Sequence, residues 1–215
     1  MRSKLLVGQS PWLEMAADDW TLAEPDTALD LLPISLDKHY GYNLGDLPRY
    51  SPHDTTAFVA WGPEFLNFQR LEMMGELKKR GFKMPPLLHP NAVISPSAQF
   101  QENAWVQAQA VIGPQVEVGM NACIGMGVRL GAFSQLGKSV WIGEGSSLGA
   151  WVKVDAHAVI GQRIEVADRV RIGRQACIEV MQRIERDWPE KSFHIQASGL
   201  QGNIIELTQG RASSA

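Results

Sequence analysis

The chain has 215 residues, 45% hydrophobic and 20% charged, with 20 basic against 23 acidic side chains and a formal net charge of −3. That balance supplies no basic field for a phosphate backbone, and no apolar run reaches the roughly 18 residues that span a bilayer. Leu5-Leu6-Val7 after Lys4 is also too short for the core of a secretory signal, so neither nucleic acid nor membrane is an expected partner and a cytoplasmic location is predicted.

The first 88 residues read as a small α/β unit. Lys4–Val7 is a short buried strand ending in Gly8, Leu31–Leu36 a second whose Pro33 predicts an edge, and Thr56–Ala60 a third that ends at Trp61-Gly62. A helix follows: Pro63 suits its first turn, Phe68, Leu71, Met74 and Leu77 recur every third residue, and Lys78-Lys79-Arg80 before Gly81 is a basic last turn with a glycine stop. Little room is left for a full helix between Gly8 and Leu29. Strand, glycine and helix in succession is how α/β sheets build ligand sites, with helix N-termini facing an anion.

From His89 to Ile184 the sequence divides into sixteen hexads without insertion. The sixth position is apolar in all sixteen, the fourth is Ala, Val, Ile or Ser in fifteen, and Gly fills the first in nine, where a turn needs backbone freedom or close approach. Positions four and six share one side of a strand while five points away, so each hexad is a short strand plus a turn, the repeat of a parallel β-helix. Residues 185–215, with Trp188-Pro189 and a polar end, are expected to cap the last coil. The two cysteines, Cys123 and Cys177, have no CxxC neighbour and fit packing roles.

These hexads resemble the left-handed β-helix hexapeptide acyltransferases, which place three hexads in each triangular coil. Sorting the outward fifth positions by that rule gives a solvated face (Gln99, Glu117, Gln135, Lys153, Arg171), a mixed face beginning at Val93 and Val111, and an apolar stripe of Trp105, Cys123, Trp141, Val159 and Cys177. An apolar stripe on a solenoid demands cover. The family forms trimers, so the stripe is predicted to lie in a homotrimer interface, with residues 185–215 as the alternative cover.

The whole layout, over about residues 1–184, is similar to the sialic acid O-acetyltransferase branch of that family, which includes N-acetyltransferases of nucleotide-linked amino sugars. The likeness is closest from Phe58 to Ala98, through Phe58-Val59-Ala60-Trp61-Gly62, Lys79-Arg80-Gly81-Phe82-Lys83 and Leu88-His89-Pro90-Asn91-Ala92-Val93-Ile94. It implies a Rossmann-like domain over 1–88, a β-helix over 89–184 and acetyl-CoA as co-substrate. It also implies nucleotide-sugar contacts from Gly8, Gln9, Ser10, Asp37, Lys38 and Gly62. Two positions depart from the family: its glycine-rich first loop is Gly8-Gln9-Ser10-Pro11-Trp12, and its general-base histidine in the eighth hexad is Ala132. General-base help is worth about 10²–10⁴ in rate. Of His39, His53, His89, His157 and His194, His157 with Asp155 two residues earlier is the candidate substitute. A zinc site would need three converging histidines, and only His89 and His157 lie in the hexads, so no metal is expected. Two functions follow: an acyl-CoA-dependent acyltransferase acting on an amino group or hydroxyl of a nucleotide-linked sugar or related small acceptor, or a catalytically inactive trimeric β-helix serving as a binding or scaffold module.

Overall fold

The computed structural model describes residues 3–35, 42, 44–194 and 204–206. At the N-terminus β1 (Ser3–Gly8), α1 (Trp12–Ala23), β2 (Ala28–Pro33), β3 (Thr55–Ala60) and α2 (Phe68–Lys79) build a three-stranded parallel sheet in the order β2-β1-β3. β1 is central because Leu5, Leu6 and Val7 are apolar on both faces, as a doubly covered strand requires. Leu5 and Val7 pack with Met73, Met74 and Leu77 of α2, while Leu6 faces Leu13, Ala16 and Trp20 of α1.

Two expectations change here. α1 is a full twelve-residue helix between Gly8 and Leu29. It fits because β2 starts at Ala28, three residues before the predicted strand, and only four residues link the two. α2 begins at Phe68 rather than at Pro63. Phe65, Leu66 and Asn67 have φ of 51°, 53° and 62°, a left-handed turn that cannot continue into a helix. The glycine stop is present: Gly81 has φ +88°, and Phe82 N–H donates to the Leu77 carbonyl at 3.1 Å.

Residues Leu87 to Ile184 form a left-handed parallel β-helix of about six turns, built from two-residue strands that stack into three parallel sheets. Fourth and sixth hexad positions fill its interior, from Ala104 and Val106 to Ile178 and Ile184. Two interior serines are satisfied: the Ser134 and Ser146 hydroxyls donate to the Gly149 and Gly161 carbonyls at 2.9 and 2.8 Å. The third hexad position, not the first, takes the left-handed conformation, as at Asn121, Phe133 and His157. The first-position glycines serve close approach instead, since a Cβ on Gly131 would lie 2.4 Å from the Gly149 carbonyl carbon in the next coil.

The apolar stripe is buried, and its cover is neither a second subunit nor residues 185–215 alone. Trp105, Cys123, Trp141, Val159 and Cys177 pack in one cluster with Leu6, Leu13, Ala16, Trp20, Phe58 and Ala60 of the chain's own N-terminal unit. Phe58 meets Trp20 and Trp105 edge-on at 5.8 and 5.9 Å, and Trp12 meets Trp141 at 4.9 Å. The trimer-interface expectation for these five residues is corrected accordingly: the surface their outward position leaves apolar is consumed within one chain. At the far end Ser192–His194 adds a parallel strand beside Cys177-Ile178, and Ile204–Glu206 pairs antiparallel to it.

Candidate functional site

The carboxyl ends of parallel strands are where open α/β sheets place ligands. Here that edge meets a corner of the β-helix. A cleft of about 520 Å³ opens there, walled by Trp12 and Pro63 on one side and by Trp141, Gly143 and Gly161 on the other. Its polar lining comes from Gln107, Glu144, Gln162, Arg163 and Glu179.

Gly8 and Gly62 shape the approach. A Cβ on Gly8 would fall 1.8 Å from the Ala60 carbonyl oxygen, so the β1–β3 contact admits no side chain there. A Cβ on Gly62 would fall 2.4 Å from the Trp12 indole nitrogen and 2.2 Å from the Glu64 carboxylate. Gln9 and Ser10 are exposed. The Ser10 hydroxyl donates to Glu14 at 2.5 Å, and this bond, with one from the Glu14 backbone N–H, holds the carboxyl below the usual carboxylate range. The first turn of α1 therefore already carries a carboxylate where an anion would sit. Asp37, Lys38 and His39 lie outside the described residues.

Gln107 was not singled out by the sequence. It is 3% exposed, and its Oε1 accepts the Met126 N–H at 3.1 Å, which fixes the amide orientation. Its Nε2 has no partner among the described residues. The signal available in the sequence was a glutamine at a first hexad position, where glycine predominates.

The histidine candidates sit elsewhere. His157 is 1% exposed, stacked on Phe68 at 4.1 Å, with Nδ1 3.3 Å from the Leu66 carbonyl oxygen. Burial, with Lys138 and Arg174 nearby, pulls its pKa below the ordinary imidazole value. An imidazole closed off beneath α2 cannot meet a diffusing acceptor, which corrects the expectation that it serves as base. His89 is also buried, with Nε2 3.8 Å from Asp19, whose other carboxylate oxygen accepts the Trp105 indole N–H at 2.8 Å. His194 is buried beside Trp188. Every described histidine of the β-helix is thus closed to solvent.

At Ala132, where the resemblance implies a base, the corner is apolar and open. The adjacent Phe133 and the next coil's Trp151 stack at 4.2 Å and are 43% and 52% exposed, with exposed Arg169 one coil further on. A stacked aromatic pair followed by a cation suits the adenine or pantetheine and the phosphates of a CoA thioester, so the residues present fit that co-substrate.

Comparison with known proteins adds the following. Residues 84–192 match the family described as the GMPPB C-terminal domain. PerB from Caulobacter crescentus, solved in complex with CoA and GDP-perosamine, superposes with a TM-score of 0.79 at 22% identity over 95% of this chain and 98% of that one. The acetyltransferase domain of PglB from Neisseria gonorrhoeae, solved with acetyl coenzyme A, gives 0.61 at 22% identity over 86% and 93%. At these identities the likeness establishes the fold alone, a parallel β-helix joined to a small α/β unit. No curated protein matches the chain by sequence.

Proposed function

The chain belongs to the GMPPB C-terminal domain family, and from that membership and the geometry above we propose that it is an acyl-CoA-dependent acyltransferase acting on an amino group or hydroxyl of a nucleotide-linked sugar or related small acceptor. The observation that carries this reading is the cleft at the carboxyl ends of β1 and β3, closed on its far side by a β-helix corner, within an architecture shared along 95% of the chain with PerB. Acetyl-CoA, when bound, supplies the activated acyl carbonyl. The roles left to this chain are to seat the acceptor in the cleft and to hold the thioester against the corner of Phe133, Trp151 and Arg169. Glu144 and Glu179 are the carboxylates in the cleft able to take a proton from an attacking amine or hydroxyl.

A second reading is favoured by one specific observation: Ala132 replaces the family base and the β-helix histidines are buried. On that reading the chain is an inactive binding or scaffold module. Trimer formation, implied by the family resemblance, is proposed under both readings, through a surface other than the Trp105–Cys177 stripe.

The deciding experiment follows thiol release from acetyl-CoA with GDP-perosamine as acceptor, alongside calorimetric binding of acetyl-CoA and sedimentation of the chain. Saturable thiol release dependent on the acceptor supports the transferase. Binding of acetyl-CoA without turnover selects the scaffold, and a monomer at micromolar concentration removes the trimer.

A further inference from the structure

One run of consecutive left-handed residues occurs among the described residues, and it lies at the wall of the cleft. In the β-helix such residues occur singly, one to a corner, as at Asn121 and His157. Phe65, Leu66 and Asn67 instead follow one another at φ/ψ of 51°/42°, 53°/38° and 62°/19°. None is glycine, and the left-handed region is disfavoured about five- to thirtyfold for each such residue. A segment held there persists because its surroundings impose it, which is how folds store strain in clamps and switches.

The contacts that impose it gather at the inner end of the segment. The Leu66 carbonyl meets His157 Nδ1 at 3.3 Å, Asn67 Nδ2 donates to the Asn121 and Ser139 carbonyls at 3.3 Å each, and Phe68 stacks on His157. The outer end bears on the cleft. Pro63 is part of its wall, and the carboxylate of the exposed Glu64 shares with the Trp12 indole nitrogen the space that a Cβ on Gly62 would need. Trp12 opens α1 just after β1, and Gly62 follows β3, so this meeting closes the mouth between the two loops at the carboxyl edge of the sheet. It also sets a negative charge where the phosphates of a nucleotide would pass. The sequence of the segment favours a different arrangement, since Pro63 and Glu64 are first-turn residues of a right-handed helix.

We propose that residues 63–67 form a gate on the cleft. Docked on the β-helix the gate is shut, with Glu64 across the mouth; return of its left-handed residues to right-handed angles draws Glu64 off Gly62 and admits a nucleotide-linked sugar. The identity of what enters rests on the acyltransferase reading, whereas the opening itself is measured without turnover. A ligand taken up by the open form alone has an apparent Kd equal to its intrinsic Kd divided by the open fraction, so a substitution that moves the gate moves affinity without touching the ligand.

Position 65 is the place to move it, because the side chain is 65% exposed. Glycine accepts the left-handed angles that alanine resists, and proline, fixed at a φ of about −65°, excludes them. The test compares Phe65→Gly, Phe65→Ala and Phe65→Pro in the full chain, all three lacking the ring, by calorimetric titration with GDP-perosamine and by amide hydrogen exchange without ligand. Phe65→Pro should bind most tightly and Phe65→Gly most weakly, each about threefold or more from Phe65→Ala. Exchange over residues 62–67 should be fastest in Phe65→Pro and slowest in Phe65→Gly. Phe65→Gly should also melt above Phe65→Ala, the reverse of their order within a right-handed helix. Equal Kd values across the series, equal exchange in Phe65→Gly and Phe65→Ala, or no saturable binding to any of the three each overturns the gate. Should Phe65→Pro fail to fold, Phe65→Gly against Phe65→Ala carries the same test. The ordered series in a chain that releases no thiol from acetyl-CoA leaves the gate standing and removes the transferase reading.

Discussion

Arg70 is fully buried and meets no carboxylate among the described residues. Its guanidinium donates to three carbonyl oxygens instead: Nε to Val59 at 3.0 Å, and the two terminal nitrogens to Asn121 and Asn103, each at 2.9 Å. Burial pulls its pKa down to about 10, which still leaves it charged at neutral pH. One planar fork thereby ties β3 to two successive β-helix corners, where Asn103, Asn121 and Ser139 continue the chain of side-chain bonds. Arg70→Ala leaves the Asn103 carbonyl without its side-chain donor and the Val59 and Asn121 carbonyls with only the 3.3 Å bonds from Asn103 Nδ2 and Asn67 Nδ2, so the loss should be at least about 1–3 kcal/mol. Arg70→Lys should not restore it, because an ammonium cannot span the three positions, and a urea titration of both variants measures the outcome.

His157, on the same corner, gives a pH prediction. Its folded pKa is depressed by burial, so as pH falls through the ordinary imidazole range near 6.5 the unfolded chain takes up a proton that the folded chain refuses. Stability should decline from pH 7.5 toward 5 and the decline should level off below the folded pKa. In His157→Gln that part of the slope should vanish, as read from urea midpoints across the range; an unchanged slope would assign the proton to another group.

At the scale of elements, the β1–β3 pair depends on the absence of a side chain at one position. Gly8 pairs with Ala60, and the Ala60 oxygen occupies the space a Cβ would need. Backbone on both sides leaves nothing flexible to move, so Gly8→Ala should cost at least the 1–3 kcal/mol typical of overpacking and lower the thermal midpoint measurably. The same close approach brings the loops after β1 and β3 together at the cleft. The left-handed turn at Phe65, Leu66 and Asn67 has a comparable consequence: it delays α2 to Phe68 and thereby sets Phe68 over His157 and Arg70 over the coil corners.

For the whole molecule, the stripe from Trp105 to Cys177 makes the two units one folded body. Each half leaves an apolar surface that the other covers: α1 and one face of the sheet on one side, five outward coil positions on the other. A β-helix fragment of residues 84–194 should therefore bind a hydrophobic dye and self-associate, whereas the full chain should unfold in a single transition with neither property. A monomeric, dye-silent fragment would show that the N-terminal unit contributes less than its packing indicates.

The repeat alone determined the parallel β-helix and the residues pointing inward, because a six-residue period is a local property that each strand and turn enforces by itself; the three faces needed the family resemblance, which implies three hexads per coil. Local chemistry likewise placed β1, β3 and the glycine stop after α2. The sequence could identify Trp105, Cys123, Trp141, Val159 and Cys177 as a surface needing cover, since outward position and hydrophobicity follow from the period. What covers it was decided by tertiary structure, because the docking of α1 and β3 links residues far apart in the chain and has no periodic trace. The burial of His157 and of the Gln107 amide belong to the same class. Whether a polar side chain is a free base, a packed contact or a donor in a cleft wall depends on what folds over it, and that is settled only when the two units meet.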